Sequence, residues 1–546
     1  MKYLIIGAVA GGASTAARLR RLDEHAEIII FEKGAYISYA NCGLPYYIGD
    51  VIRDRNKLFV QTAASFSKRF NIDVRVNSRV TDIDTEAQTV EVFHEPSGET
   101  YEESYDKLVI AVGAEPIRPP LPGIDGEGIF TLRNVVDTDK IKHHISQANI
   151  KKAVIVGAGF IGLEMAENIH GLGIEVEIVE MGAQILAPVD FPIAAIIQQH
   201  IRKKGITLHL NTAVTSVSKN EVTLNNRDVI NTDIVILNIG VKPDLQLAAA
   251  AGLETGRGII VNEYLQTSDP NIYAVGDVIE FRNPVTGIPT ITTLAGPANK
   301  QGRILANNLV YGNTQKYNGS INTAILKVFD MTVGTTGIAS KHLKTAEIEH
   351  FVSTTHGMSH AGYYPGSRQM TIQIAFKPAN GQLIGAQIAG YDGVDKRLDV
   401  FSSLIQQGKT IYDLIEFEQA YAPPYSSAKD PINIAGMVAE NILLKRLQVV
   451  YWDDLENLDF YEDALIDVRT PDEFEMEHVK GAVNIPLDDL RGKLSTIPRD
   501  KDLYIYCEAG LRGYLAQRIL LQNGFSRVWN MSGGFRTWKI CSKESE

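Results

Sequence analysis

Cysteine is nearly absent: 546 residues contain three, Cys42, Cys507 and Cys541. So few thiols argue against a disulfide scaffold and fit a reducing compartment, so a cytoplasmic protein is expected. A long apolar run is also missing. No stretch reaches the ~18 apolar residues of a membrane span. The N-terminal LIIGAVAGGASTAA has the small residues of a leader peptide, but its apolar run is short and broken by glycines. There is no excess of basic residues: the net charge is −12. That disfavours nucleic acid as a partner and still permits a local basic patch. No long charge run, low-complexity segment or metal-binding cluster is found, and no metal is expected.

Apolar residues make up 45% and charged residues 22%, ordinary for a globular chain. At roughly 100–200 residues per domain the length implies several domains. Two segments repeat one design. The first is a strand at Tyr3–Ile6, the turn Gly7-Ala-Val-Ala-Gly11-Gly12, a helix to about Leu22 and a strand ending at Glu32. The second, Lys152–Glu180, contains Gly157-x-Gly159-x-x-Gly162 and ends at Glu180. In such βαβ units glycine allows a tight turn and close approach of a pyrophosphate, and the helix N-terminus offers free N–H groups to it. Glu32 and Glu180 can each accept a bond from a ribose hydroxyl. Two dinucleotide sites are therefore expected. The first fingerprint is altered, with Val9 in place of its middle glycine. Beyond about residue 320 the pattern changes to an α+β unit, and a final unit starts near residue 450.

These features resemble the two-dinucleotide-fold disulfide reductases, a flavoprotein family, over about residues 1–445. The resemblance rests on Gly7–Gly12, Glu32, AVGAEP at 111–116, Gly157–Gly162 and TSDPNIYAVGD at 267–277. It implies two Rossmann-like domains: FAD-binding at 1–115 with 246–320, and NAD(P)H-binding at 116–245. An α+β dimerisation domain at 321–445 would make a homodimer. It also implies that Gly7, Ala10, Gly11, Gly12, Glu32, Ala111, Gly113, Asp277 and Ala295 contact FAD. Asp277 would bond the ribityl-pyrophosphate region, and the helix opening near Ala295 would point at the flavin. Gly157, Gly159, Gly162 and Glu180 would hold the nicotinamide cofactor.

Many members carry a CxxxxC redox pair, but the fifth residue after Cys42 is Tyr47. A lone thiol must bond to something external, as a mixed disulfide or a sulfenic acid. Pro45 suits the first turn of a helix beginning just beyond Cys42, which would depress the thiol pKa. SYANCGLP is similar to the motif of the coenzyme A disulfide reductase subgroup. NADH peroxidases and oxidases, the alternative, carry a histidine where this chain has Ala10. A slow redox-sensing sulfur relay is a third reading. The resemblance also places two partner-subunit tyrosines at the reacting sulfur; Tyr363 and Tyr421 are favoured over Tyr364 and Tyr425. Ser38 and Asn41 flank the thiol. Arg18 and Arg21 share a helix face and, with Lys68 and Arg69, are candidates for coenzyme A phosphates.

Residues 451–546 resemble a rhodanese domain, an α/β unit, through LIDVRTPDEFEMEHVKGAVNIPL and YIYCEAGLRGYLA. Cys507 ends a strand and Arg512 opens a helix, so the loop between them can form an anion cradle around a thiolate that carries sulfane sulfur. Related phosphatases have five residues between cysteine and arginine; here Glu508, Ala509, Gly510 and Leu511 make four, a ring better suited to sulfur. Cys541 falls in a polar tail and is read as incidental. The expected activity is FAD-dependent NAD(P)H reduction of a coenzyme A disulfide or a thiol persulfide. Glu180 should repel a 2′-phosphate, so kcat/KM with NADH should exceed that with NADPH in steady-state assays.

Overall fold

A computed structural model describes residues 1–459 and 463–545; residues 460–462 and 546 of the C-terminal unit lie outside the described residues. The chain divides into two compact units, Met1–Ala183 with Thr207–Asn322, and Gln184–Ile206 with Thr323–Glu546.

The first unit holds two five-stranded parallel sheets. One is ordered Ile272–Ala274, Lys107–Ile110, Lys2–Ile6, Glu27–Glu32, Asp73–Val76. The other is ordered Thr207–His209, Glu175–Val179, Lys152–Val156, Ile234–Leu237, Ile129–Thr131. Their central strands are apolar on both faces, and Leu4, Ile5, Ile30, Val109, Val154 and Ile178 are fully buried. Parallel neighbours need a crossover, which the helices Ala10–Leu22 and Phe160–Gly171 supply. A three-stranded antiparallel sheet accompanies each.

Helix Ala295–Tyr311 lies against helix Ala10–Leu22 at a distance only glycine allows. A Cβ on Gly302 would sit 2.7 Å from the Gly11 carbonyl oxygen. The seam is pinned by Arg18 Nε, which donates to Asn307 Oδ1 at 3.1 Å.

In the second unit a five-stranded antiparallel sheet runs Ala324–Val328, Met331–Gly337, Leu383–Gly390, Gln369–Phe376, Phe351–Met358. A parallel sheet follows, ordered Val449–Val450, Val528–Met531, Asp502–Tyr506, Asp463–Asp467, Val483–Asn484. Helix Phe191–Lys203, from the middle of the chain, belongs to this unit. The buried Asp190 before it accepts bonds from the Ser340 and Lys341 backbone N–H groups at 2.9 Å and from Gln387 Nε2 at 2.6 Å. At its far end Gln198 Nε2 donates to Glu544 of the last helix at 3.0 Å.

A buried ion pair organises the loops of the antiparallel sheet. Arg397 and Asp430 are both almost fully buried, with Nη2 2.6 Å and Nε 2.9 Å from the carboxylate. Arg397 also donates to the Ser359 carbonyl at 3.0 Å, and the Ser426 hydroxyl donates to Asp430 at 2.5 Å. Burial opposes the charge on Asp430, but Arg397 outweighs it and holds the carboxyl below its usual range. Its folded pKa is thus below the unfolded value. The stabilisation is present above about pH 4 and is lost as pH falls through the folded pKa. Arg397→Leu, which strands the carboxylate, should cost about 3–5 kcal/mol in urea unfolding.

Candidate active site: two glycine turns and two thiol loops

The two glycine turns are near copies. Gly7 (φ +100°) and Gly157 (φ +99°) occupy the left-handed region, and their N–H groups donate to Phe31 O and Val179 O at 2.8 Å. A Cβ on Gly12 would lie 1.9 Å from the Gly7 oxygen; on Gly162 it would lie 2.0 Å from the Gly157 oxygen. A Cβ on Gly159 would meet open space, the face a pyrophosphate would approach. The acidic residue closes each turn. Glu32 accepts from Ala8 N (3.0 Å) and Gly34 N (2.8 Å); Glu180 accepts from Ala158 N and Gly182 N, both 2.8 Å. Both carboxylates therefore hold the turn while keeping lone pairs for a ribose. Ala10 begins the first helix, Ala295 begins the helix packed against it, and Ala111 contributes the carbonyl that a Cβ on Gly7 would strike.

Cys42 is exposed, in a single 3-10 turn, Asn41–Gly43, that runs into the short helix Leu44–Ile48 with Pro45 in its first turn. Ser38 (φ +44°) donates its N–H to Ala8 O at 2.8 Å, so the thiol loop is bonded directly to the first glycine turn. Ala40 N–H reaches Leu58 O at 2.7 Å.

The expected depressed pKa is corrected. Although open to solvent on one side, the Cys42 thiol is pushed up by the protein packed around it, then by the carboxylates of Glu164 and Asp277. A helix of one turn does not offset them. Burial pushes Glu164 up to about 7; the Tyr46 hydroxyl, 3.3 Å away, opposes this, and Glu167 adds to it. Burial also raises Asp277, against the pull of Arg133. A Cβ on Gly113 would meet Arg133 Nη2 at 2.6 Å. Among the described residues the buried Asn41 Oδ1 has no partner. That orphaned acceptor, the glycine cradle and the half-buried Asp277 fit the flavin nucleotide implied by the sequence.

The favoured tyrosines meet: Tyr363 and Tyr421 hydroxyls are 3.1 Å apart and solvent-exposed. Tyr364 instead sets its ring edge against His360, and the carbonyl of Tyr425 accepts from Lys396. The loops meet because Ala361 N–H donates to Ser426 O at 3.0 Å, beside the Arg397–Asp430 pair. The basic candidates lie on two helices, Arg18 and Arg21 on one, Lys68 and Arg69 in the last turn of Ala63–Phe70. Arg20, passed over in the sequence, ties these helices together. It is buried and donates to Phe70 O (2.9 Å), Asn71 O (2.8 Å) and Ala26 O (2.7 Å).

At the C-terminal loop Cys507 is buried, and Gly510 N–H donates to its sulfur at 3.1 Å. Arg512 is engaged by Glu473 through two bonds of 2.6 and 2.7 Å. Cys541 is not in a loose tail: it is buried in the helix Gly534–Ser545, and burial pushes its thiol up. Sequence reading missed Tyr46, Arg133, Glu164 and Glu473. Only Glu164 carried a signal, lying two residues after the last glycine of a fingerprint.

The pyridine nucleotide-disulphide oxidoreductase family matches residues 1–302, its dimerisation domain 323–431, and the rhodanese-like domain 452–541. Coenzyme A disulfide reductase of Staphylococcus epidermidis is 38% identical over 441 residues, 80% of this chain and 100% of that protein. The crystal structure of reduced Bacillus anthracis CoADR-RHD superposes with a TM-score of 0.98 at 46% identity, covering 100% of this chain and 98% of that one. A NAD-dependent persulfide reductase from A. fulgidus gives 0.91 at 36% identity, covering 98% and 100%.

The carboxylate of Glu164 disfavours the Cys42 thiolate. Glu164→Gln should therefore accelerate iodoacetamide alkylation of Cys42 at pH 8 roughly two- to tenfold. An unchanged or slower rate would overturn this electrostatic reading.

Proposed function

The chain belongs to the pyridine nucleotide-disulphide oxidoreductases and carries a rhodanese-like domain, and from that membership we propose that it is a FAD-dependent NAD(P)H reductase of coenzyme A disulfide or persulfide, working through Cys42. The observation that carries the reading is the exposed lone thiol whose loop hydrogen-bonds to the first glycine turn.

Residues 1–115 and 246–320 take FAD, with Glu32, Asp277 and Arg133 around it; residues 116–245 take the nicotinamide cofactor. Glu180, already orienting its turn, discriminates against a 2′-phosphate. When bound, FAD supplies the two-electron link between nicotinamide and sulfur. Cys42 thiolate attacks the substrate S–S bond, forming a mixed disulfide and expelling a thiolate from a disulfide or hydrosulfide from a persulfide. Two electrons and a proton then return Cys42 to the thiolate and release the thiol. Charge on Glu164 opposes thiolate formation at rest, so a thiolate forms more readily once a proton or substrate offsets that carboxylate.

Residues 321–445 form a homodimer, through which Tyr363 and Tyr421 of the partner subunit reach the reacting sulfur and protonate the leaving thiolate. The adjacent hydroxyls of the pair support a shared proton donor. Ser38 and Asn41 orient the substrate beside Cys42, while Arg18, Arg21, Lys68 and Arg69 offer charge to coenzyme A phosphates. Residues 451–546 carry sulfane sulfur on Cys507. The protein works in the cytoplasm, consistent with three unpaired cysteines; among the described residues no helix is long and apolar enough to cross a membrane.

Stopped-flow mixing with NADH, then with coenzyme A disulfide or persulfide, tests the reading. Cys42→Ser should keep flavin reduction by NADH and lose acceptor turnover. Tyr363→Phe and Tyr421→Phe should each slow turnover by about 10²-fold or more. Retained acceptor turnover in Cys42→Ser would end the proposal.

A further inference from the structure

The Cys507 loop is backed by a side chain of the antiparallel sheet. Phe351–Met358 is an edge strand of that sheet, so every second residue along it presents its N–H and C=O outward. C-terminal residues take those groups. The Tyr451 hydroxyl donates to Val352 O at 3.3 Å, and Thr354 N–H donates to the Ser532 hydroxyl at 3.1 Å. Two residues further along, the half-buried His356 ring meets the Gly533 carbonyl, with Nε2 3.0 Å from the oxygen.

A carbonyl only accepts, so Nε2 carries the proton. Nδ1 then accepts from the Thr371 hydroxyl, 2.9 Å away on the paired strand. The protein packed around the ring, with the charge of Arg536, pushes its pKa down to about 4 against the pull of the Gly533 carbonyl, and the neutral ring fits this pattern. The Thr537 hydroxyl lies 3.1 Å from Nε2 and gives Gly533 O a second donor at 3.2 Å.

Gly533 and Gly534 both have positive φ, +75° and +64°. They fill a thin space between the strand and the thiol loop. A Cβ on Gly533 would come within 3.1 Å of Thr354 Cγ2; one on Gly534 would come within 2.5 Å of Cys507 O and 2.8 Å of Ala509 N. Helix Gly534–Ser545 starts here, and its first N–H groups, which have no acceptor inside a helix, go to the loop. Phe535 N–H donates to Cys507 O at 2.7 Å and Arg536 N–H to Glu508 O at 3.1 Å. Across a trans peptide, C=O and N–H point opposite ways. Fixing those two carbonyls therefore turns the Glu508 and Ala509 N–H groups away from the glycine turn. Gly510 N–H, next in line, donates to Cys507 Sγ at 3.1 Å. Successive N–H groups of this kind stabilise a negative sulfur.

We propose that His356 is a positioning residue for the Cys507 site: its bond to Gly533 O holds the two-glycine turn against the thiol loop and so sets the direction of the loop N–H groups. The effect passes through Gly533, Gly534 and the first turn of the last helix. This deepens the reading of Cys507 as a sulfur carrier and rests on it.

The experiment uses the full-length flavoprotein carrying Cys42→Ser. It is treated with iodoacetamide between about pH 5 and 9, and the mass of the Cys507 peptide is followed. The plateau rate reports access to the sulfur; the pH of half-maximal rate reports how well the loop stabilises the thiolate. His356→Phe keeps a ring and removes the donor, so that pH should rise by about 0.5–1. His356→Gln can place an amide N–H where Nε2 stands and should restore the parent value. Loading of one sulfur onto Cys507 from coenzyme A persulfide at pH 7 should fall about three- to tenfold in the Phe variant and recover in the Gln variant. If His356→Phe unfolds, judged by thermal melting, His356→Asn, whose amide stops short of Gly533, gives the same readouts. An unmoved pH of half-maximal rate in the folded Phe or Asn variant overturns the proposal. So does a Gln variant that behaves like the Phe one. A parent whose Cys507 is alkylated but takes no sulfur from coenzyme A persulfide overturns the sulfur-carrier reading, and the role of His356 in sulfur transfer with it.

Discussion

The approach of Gly12 to the Gly7 carbonyl is the constraint on which the first unit depends. A side chain there would overlap the carbonyl oxygen, so the turn exists only because both positions lack one. The closed turn leaves Ala8 N–H and its own carbonyl facing opposite ways. The N–H is taken by Glu32, the carbonyl by the Ser38 amide of the thiol loop. One tight turn thereby orients the helix Ala10–Leu22, the Glu32 carboxylate and the segment bearing Cys42. The second turn repeats the first two of these, with helix Phe160–Gly171 and Glu180, and has no thiol loop.

The charges around Cys42 run against a simple picture of an activated thiol. Two half-buried carboxylates, Glu164 and Asp277, oppose its ionisation, and the following helix is too short to offset them. Activation must come from what binds, since a cofactor or substrate that screens or protonates those groups lowers the cost of the thiolate. Such an arrangement limits idle oxidation of a lone, exposed sulfur.

Long-range polar contacts shape the second unit. Asp190 stands just before a helix from the middle of the chain, and its carboxylate, instead of capping that helix, accepts amide donors from residues 150 positions and more away. Arg397 and Asp430 bring two tyrosine loops together by bonding the backbone at Ser359 and the hydroxyl of Ser426. At the Cys507 loop, paired arginines and carboxylates cancel one another, so an arginine suggestive of anion binding is already satisfied within the protein.

The residues alone determined the features that depend on local stereochemistry. Glycine spacing between an apolar strand and a helix specified both nucleotide turns and their acidic ends, and the residue five after Cys42 specified a lone thiol. Strand and helix placements such as Lys2–Ile6 and Ala10–Leu22 followed from the same short-range patterns. Tertiary structure alone decided what depends on proximity between distant residues: which tyrosine hydroxyls pair, that Arg512 already has a carboxylate, that Cys541 is buried, and that the Cys42 thiol is raised rather than lowered. Local sequence encodes backbone conformation, whereas a pKa or an ion pair is set by charges and burial contributed from elsewhere in the chain, where no spacing rule applies.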